Sequence, residues 1–217
     1  MPLGFLRRGK REEPPAPTPS APSRVRTAVP FDGLTEEWRL VGFMDIEGRL
    51  SDALNRREPL QLSDVSWAPV DGSAGFSPAP GIRKADPYEL VAVLANERTL
   101  PELTEAEKAA FKVHKVAYDV ALEAPPFRIL GTVYLYPGSE PERLLDRSTD
   151  LFVPVIDAVA FCRERPIGDP DVSVILVNRS YLRDARQVDR QAVAAARAQL
   201  RPARDGEPLI GDEPDEP

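Results

Sequence analysis

Trp38-Arg-Leu-Val-Gly42 and Phe127-Arg-Ile-Leu-Gly131 open two stretches that run in parallel. After the first come Arg49-Leu-Ser-Asp-Ala-Leu-Asn55, Leu60-Gln-Leu-Ser-Asp64-Val65 and Leu90-Val-Ala-Val-Leu-Ala-Asn96. After the second come Arg143-Leu-Leu-Asp146, Val153-Pro-Val-Ile-Asp157-Ala158 and Val172-Ser-Val-Ile-Leu-Val-Asn178. Leu40, Gly42, Met44 and Ile46 alternate with their neighbours, and Ile129, Gly131, Val133 and Leu135 hold the same phase at a constant offset of 89. Apolar residues at period two turn one face of a strand to a core. A glycine inside such a strand marks a bulge, a bend or a close backbone approach. The agreement of phase and glycine reads as two copies of one β-rich pattern.

The elements around these strands follow the same order in both copies. Residues 24–29 and 115–122 supply a leading strand. Leu50 and Leu54 lie one turn apart on a short helix that Asn55 is placed to close. Its counterpart near residues 142–147 starts after Pro141, a first-turn residue. Leu60 and Leu62 alternate up to Asp64, as Val153 and Val155 do up to Asp157. The runs at 90–96 and 172–178 are almost continuously apolar, the pattern of a strand covered on both faces. Thr104-Glu-Ala-Glu107 is a capping box that starts a helix between the copies. A second helix, about Asp189 to Leu200, stops at Pro202.

These readings give an α+β fold class that is mainly β. It consists of two tandem small barrel or sandwich-like units at 24–102 and 103–188, an inter-unit helix and a C-terminal helix at 189–202. Residues 1–23 are proline-rich and poor in large apolar side chains, and residues 203–217 are acidic. Both are expected to be disordered. The loop from Pro69 to Pro87 holds Gly72, Gly75 and Gly81 and reads as mobile.

Charge narrows the partners. The chain has 217 residues and a formal charge of −7. Residues 1–29 carry six basic against two acidic side chains, and residues 203–217 carry one against six. An acidic body disfavours a broad nucleic-acid face, which needs clustered Lys and Arg. The single cysteine, Cys162, rules out an internal disulfide and fits the cytoplasm. No apolar run reaches the roughly 20 residues of a membrane span.

No catalytic constellation emerges. His114 is the only histidine and has no partner at helical or strand spacing, so it reads as a boundary residue. Cys162, before Arg163 and Arg165, reads as a small buried residue rather than an activated thiolate. One Cys and one His exclude the usual zinc patterns, and no phosphate-cradling glycine loop occurs. No cofactor and no metal is expected. Asp64, Asp157, Asn96 and Asn178 end strands in matched positions, where turn-forming carboxylates and amides are favoured. Arg98 and Arg179 follow the two asparagines, nearly in register, as candidates for a repeated anion contact. Arg56 and Arg57 follow the helical turn. With Leu62-Ser-Asp64-Val-Ser66 they partly resemble the cyclic-dinucleotide motif of PilZ domains, but Pro69 stands in place of its glycine, and no bound cyclic dinucleotide is expected.

Arg49-Leu-Ser-Asp-Ala-Leu-Asn55, followed by Leu60-x-Leu-x-Asp64-Val65, resembles an uncharacterised bacterial domain family with an R-L-S-D-x-L-N signature, here in two tandem diverged copies. That resemblance implies no activity. The central glycines, the Asp-Val and Asp-Ala strand ends, and Ile175-Leu-Val-Asn178-Arg-Ser-Tyr181 are similar to Sm-like and other SH3-type small barrels. That resemblance implies RNA binding near the Asn and Arg positions. The expectation is a non-enzymatic cytoplasmic interaction or regulatory module with a protein partner. Alternatives are an Sm-like RNA-binding protein, and a peripheral membrane adaptor using Phe5, Leu6, Arg7, Arg8, Lys10 and Arg11. The sequence leaves oligomeric state open.

Overall fold

A computed structural model describes residues 27–96, 99, 115–146 and 150–200. The expected tails, the inter-unit helix, His114, Arg98 and the basic residues before Thr27 lie outside the described residues. Within them the protein is mainly β, with two short α-helices. In chain order come β1 (Thr27–Leu34), β2 (Trp38–Ile46), α1 (Leu50–Asn55), β3 (Leu60–Pro69), β4 (Ser77–Pro78), β5 (Lys84–Ala85) and β6 (Ala92–Ala95). The second half has β7 (Val116–Ala124), β8 (Phe127–Leu135), β9 (Phe152–Cys162), β10 (Arg165–Ile167), β11 (Val174–Asn178), β12 (Asp184–Gln187) and α2 (Arg190–Ala198). Turns of 3-10 helix occupy Pro87–Glu89, Pro141–Leu145 and Arg179–Tyr181.

All strands join one antiparallel sheet in the order β12-β7-β8-β9-β11-β6-β1-β2-β3-β4, with β10 beside β9 and β5 beside β3. Each half is a three-strand meander plus a closing strand, and the closing strands attach differently. β6 joins the first strand of its half, β1, whereas β11 joins the third, β9. The two closing strands then pair with each other, Val174 opposite Ala95 and Val177 opposite Ala92.

This arrangement explains the continuously apolar runs. Along β6, Ala92 and Leu94 enter the core cluster of the second half, while Val93 and Ala95 enter that of the first. Along β11, Ile175 and Val177 go one way, and Val174 and Leu176 go the other. Alternate side chains of a strand leave opposite faces, so the central pair divides two cores and is coated on both sides. One core holds Phe31, Met44, Leu50, Leu54 and Leu62. The other holds Val120, Leu122, Phe127, Ile129 and Val155.

The paired glycines sit at matched bulges. In β2–β3 the register shifts between Val41/Ser66 and Phe43/Ser63, so Gly42 faces Asp64 and Val65 together. In β8–β9 it shifts between Leu130/Val159 and Thr132/Ile156, so Gly131 faces Asp157 and Ala158. Asp64 and Asp157 take φ of 50° and 51°. This is the left-handed region that Asp tolerates better than most side chains.

Two local expectations are corrected. Asn55 does not close α1: Arg56 is the C-cap, and Arg57 takes the left-handed turn with φ 62°. The segment from Pro69 to Pro87 is not an open loop. It folds back on β3 through Ser66↔Pro78, Trp67↔Ser77, Leu60↔Ala85 and Gln61↔Lys84. Strand β12 follows the Arg179–Tyr181 turn and pairs with β7. The terminal helix forms as expected over Arg190–Ala198, with Val193 and Ala196 buried. Ala196 packs with Ala121, Leu130, Val159 and Phe161 on the outer side of the second meander.

Candidate functional site: two matched clefts

The end of a meander's second strand and the start of its third diverge around the helical turn, which leaves a cleft in each half. The first, about 550 Å³, is walled by Asp45 and Ile46 of β2, by Glu47 just after it, and by Pro59, Leu60 and Gln61 at the start of β3. The second, about 800 Å³, is walled by Tyr134, Leu135 and Tyr136 and by Phe152, Val153 and Pro154. These are the same positions, offset by 89 on one wall and 93 on the other. The bulge pairs obey the same two offsets.

The chemistry of the clefts differs. In the first, Asp45, Glu47 and Glu58 face the single guanidinium of Arg56. Arg56 Nη2 donates to the Glu47 carbonyl at 3.2 Å. In the second, tyrosines replace Asp45 and Glu47, and Lys115, Arg143 and Arg179 join the wall with Asp146 and Asp150. Tyr134 is half exposed and Tyr136 is 65% exposed, with the Lys115 ammonium 5.5 Å from the Tyr136 ring centre. Arg179 Nη1 donates to the Asp146 carbonyl at 2.9 Å. Burial pulls the Arg179 guanidinium below its ordinary value, and Asp150 and Asp146 oppose that pull.

Of the residues singled out from sequence, Arg56 and Arg179 line clefts, one in each half. Arg57 is exposed and serves the turn after α1. Asn178 is fully buried. Its Nδ2 donates to the carbonyls of Pro87 (3.1 Å) and Leu90 (2.8 Å), and its Oδ1 accepts from Ser180 N at 2.9 Å. That side chain ties the two halves together and starts a turn, so its polar atoms are spent inside the protein. Asn96 accepts from the Thr99 hydroxyl and donates to Asp171 Oδ2 at 3.2 Å. Asn96 and Asn178 therefore do not converge on either cleft.

The signature residue Asn55 has a role that its spacing did not disclose. Its Oδ1 accepts from Phe152 N at 2.8 Å and its Nδ2 donates to Phe152 O at 3.3 Å, across 97 residues of chain. Phe152 also buries against Leu50 and Leu54. The helical turn of the first half thus fixes the strand that begins one wall of the second cleft. Tyr134 and Tyr136 are not among the residues singled out from sequence, although the sequence carries their signal: two large side chains two positions apart, Tyr134 in β8 and Tyr136 just beyond its end, where the first half has Asp45 and Glu47.

A smaller cleft of about 290 Å³ contains Trp38, Asp71, Cys162 and Arg163. Trp38 stacks on Trp67 with ring centres 4.5 Å apart. Burial raises the Cys162 thiol, and the lowering pull of Arg163 is the smaller effect. That environment favours the neutral thiol over a nucleophilic thiolate. Among the described residues no group of three or more His, Cys, Asp or Glu is arranged to hold a metal, and no helix is long and apolar enough to cross a membrane.

Fold and clefts define the class: an antiparallel β protein whose two halves carry a cleft at matched positions. Comparison with protein-family models, with curated proteins and with solved structures finds no match.

Proposed function

We propose that this chain is a non-enzymatic interaction module of the cytoplasm. In this reading two diverged copies of one barrel-like β unit are fused through β6 and β11, and the cleft of the second half grips a segment of a partner protein. One observation carries the reading. At the same position in the two halves, Asp45 and Glu47 are exchanged for Tyr134 and Tyr136 beside Lys115 and Arg143. Tyr and Arg are the side chains that protein interfaces favour, because they offer large contact area with a polar end. A volume near 800 Å³ falls within the range of about 300–1,000 Å³ typical of ligand clefts. The cleft contains both signs of charge, which suits a polypeptide better than a uniform polyanion. Immobilised full-length protein should retain a defined partner from extract of the source cell. Tyr134→Ala/Tyr136→Ala should retain at least about tenfold less, a loss of roughly 1.4 kcal/mol in affinity. Equal retention by both proteins refutes the reading.

A second reading, single-stranded RNA, draws on the same wall, since aromatic rings interleaved with cations form stacking platforms worth about 1–3 kcal/mol per base. Filter binding of total RNA at low salt separates the two. RNA held in this cleft would be released steeply as salt rises. No salt-dependent retention removes it.

A further inference from the structure

We propose that the acidic segment at residues 203–217 docks in the second cleft of its own chain and competes there with the partner; this regulation rests on the reading of that cleft as the partner site. Three observations meet. First, α2 ends beside the cleft. Arg197, in its last turn, pairs with Asp157, the residue after Ile156 of the cleft wall. The chain therefore leaves the described fold next to the site.

Second, the reach is sufficient. Leu209 lies nine residues beyond Leu200, the last described residue, which extends to about 30 Å at roughly 3.3–3.6 Å per residue. The helix is already tied at Arg197 to Asp157, one residue from the cleft wall, so the segment can enter without strain on α2.

Third, the composition matches the walls. Leu209 and Ile210 are the only large apolar residues of 203–217, and they are bracketed by Asp205 and Glu207 on one side and Asp212 and Glu213 on the other. The cleft offers Leu135, Phe152 and Val153 as an apolar floor, with Lys115 and Arg143 on its walls. The cleft's own carboxylates, Asp146 and Asp150, neighbour Arg179, which leaves Lys115 and Arg143 for an incoming acid. The first cleft, walled by Asp45, Glu47 and Glu58, would repel the same segment. A short tether supplies an effective concentration on the order of 1 mM, so even a weak apolar and ionic fit is held closed in cis.

The test uses full-length protein and the variant Leu209→Ser/Ile210→Ser. Amide NMR spectra of the two should differ at residues 134–136, 143–146 and 152–156, and these differences should shrink in 0.5 M salt. A fluorescein-labelled peptide of residues 203–217 should bind the serine variant about tenfold more tightly than wild type, if its own Kd is on the order of 100 μM against an effective concentration on the order of 1 mM. Lys115→Glu/Arg143→Glu in the serine variant should abolish peptide binding while its circular dichroism and Tm stay unchanged. Identical spectra, or equal peptide binding by wild type and the serine variant, overturn docking. Spectral differences that grow with protein concentration overturn the intramolecular form, because they place the segment in a second copy. If Tyr134→Ala/Tyr136→Ala loses the partner while peptide binding fails, the partner site stands and only the docking falls. If that variant keeps the partner, the reading beneath it has failed as well.

Discussion

Gly42 and Gly131 each face two residues across a bulge, and space decides what can replace them. A Cβ on Gly42 would come 2.7 Å from the Ser63 carbonyl oxygen, and one on Gly131 would come 2.9 Å from Ala158 Cα. Both obstacles are backbone atoms of the facing strand, which cannot rotate aside. Gly42→Ala and Gly131→Ala should each cost about 1–3 kcal/mol, the usual penalty for overpacking, measured by urea denaturation. A change below 0.5 kcal/mol at both sites would mean that the bulges flex freely. Asn178 poses the opposite problem, because it fills three hydrogen-bonding needs at a site with no access to water. Asn178→Leu leaves two carbonyls and an amide to find other partners, and each buried polar group stranded costs about 1–3 kcal/mol. A loss of about 3 kcal/mol is expected. The sequence showed Asn178 as a strand-ending asparagine, which is correct for its Oδ1 on Ser180. The other half of its role, on Pro87 and Leu90, depends on a contact across roughly 90 residues, and no local pattern encodes that.

At the scale of elements, the β1–β2 hairpin carries an ion pair on its outer side. Arg39 Nε and Nη2 donate to Asp32 Oδ1 and Oδ2 at 2.9 and 2.6 Å, and both side chains are about four-fifths shielded, with exposures of 18% and 20%. Burial holds the Asp32 carboxyl above its ordinary value. The hydrogen bonds and charge of Arg39 pull the other way without prevailing, and nearby Asp169 adds to the upward push. A carboxyl raised in the folded state binds its proton more tightly there than in the unfolded chain. Its contribution is therefore present in full below the unfolded value near 3.8 and is lost as pH rises through the higher folded value. Asp32→Asn cannot ionise in either state. Its stability relative to wild type should rise between pH 3.5 and 6, followed by chemical denaturation across that range. A relative fall over the same interval would show that the pairing with Arg39 outweighs burial. The hairpin itself was legible, because Leu40, Met44 and Ile46 alternate along β2. The pairs from Ser77 to Ala85 were not, because two-residue strands carry no period to detect.

For the whole molecule, the decisive feature is that neither half completes its own core. Leu34, Val91, Ala92 and Leu94 of the first half lie in the second core, while Leu151, Phe152, Val174 and Leu176 of the second half lie in the first. The matched glycines and the shared strand phase were legible. The joining of the two halves in one sheet through β6 and β11 was not, because it leaves the same apolar runs that two separate barrels would leave. Such exchange couples the halves. Removing either one exposes the apolar face it covered, at about 25 cal/mol per Å², and small isolated units have little stability in reserve. The chain should therefore unfold in one transition, with calorimetric and van't Hoff enthalpies equal. Asn55→Ala tests the coupling at its most local point, since it breaks both bonds to Phe152 without touching either meander. It should lower the single transition by about 1–3 kcal/mol, and tyrosine and tryptophan signals should keep a common midpoint although both tryptophans lie in the first half. Two resolved transitions, with only one of them moved by Asn55→Ala, would show that the halves fold independently.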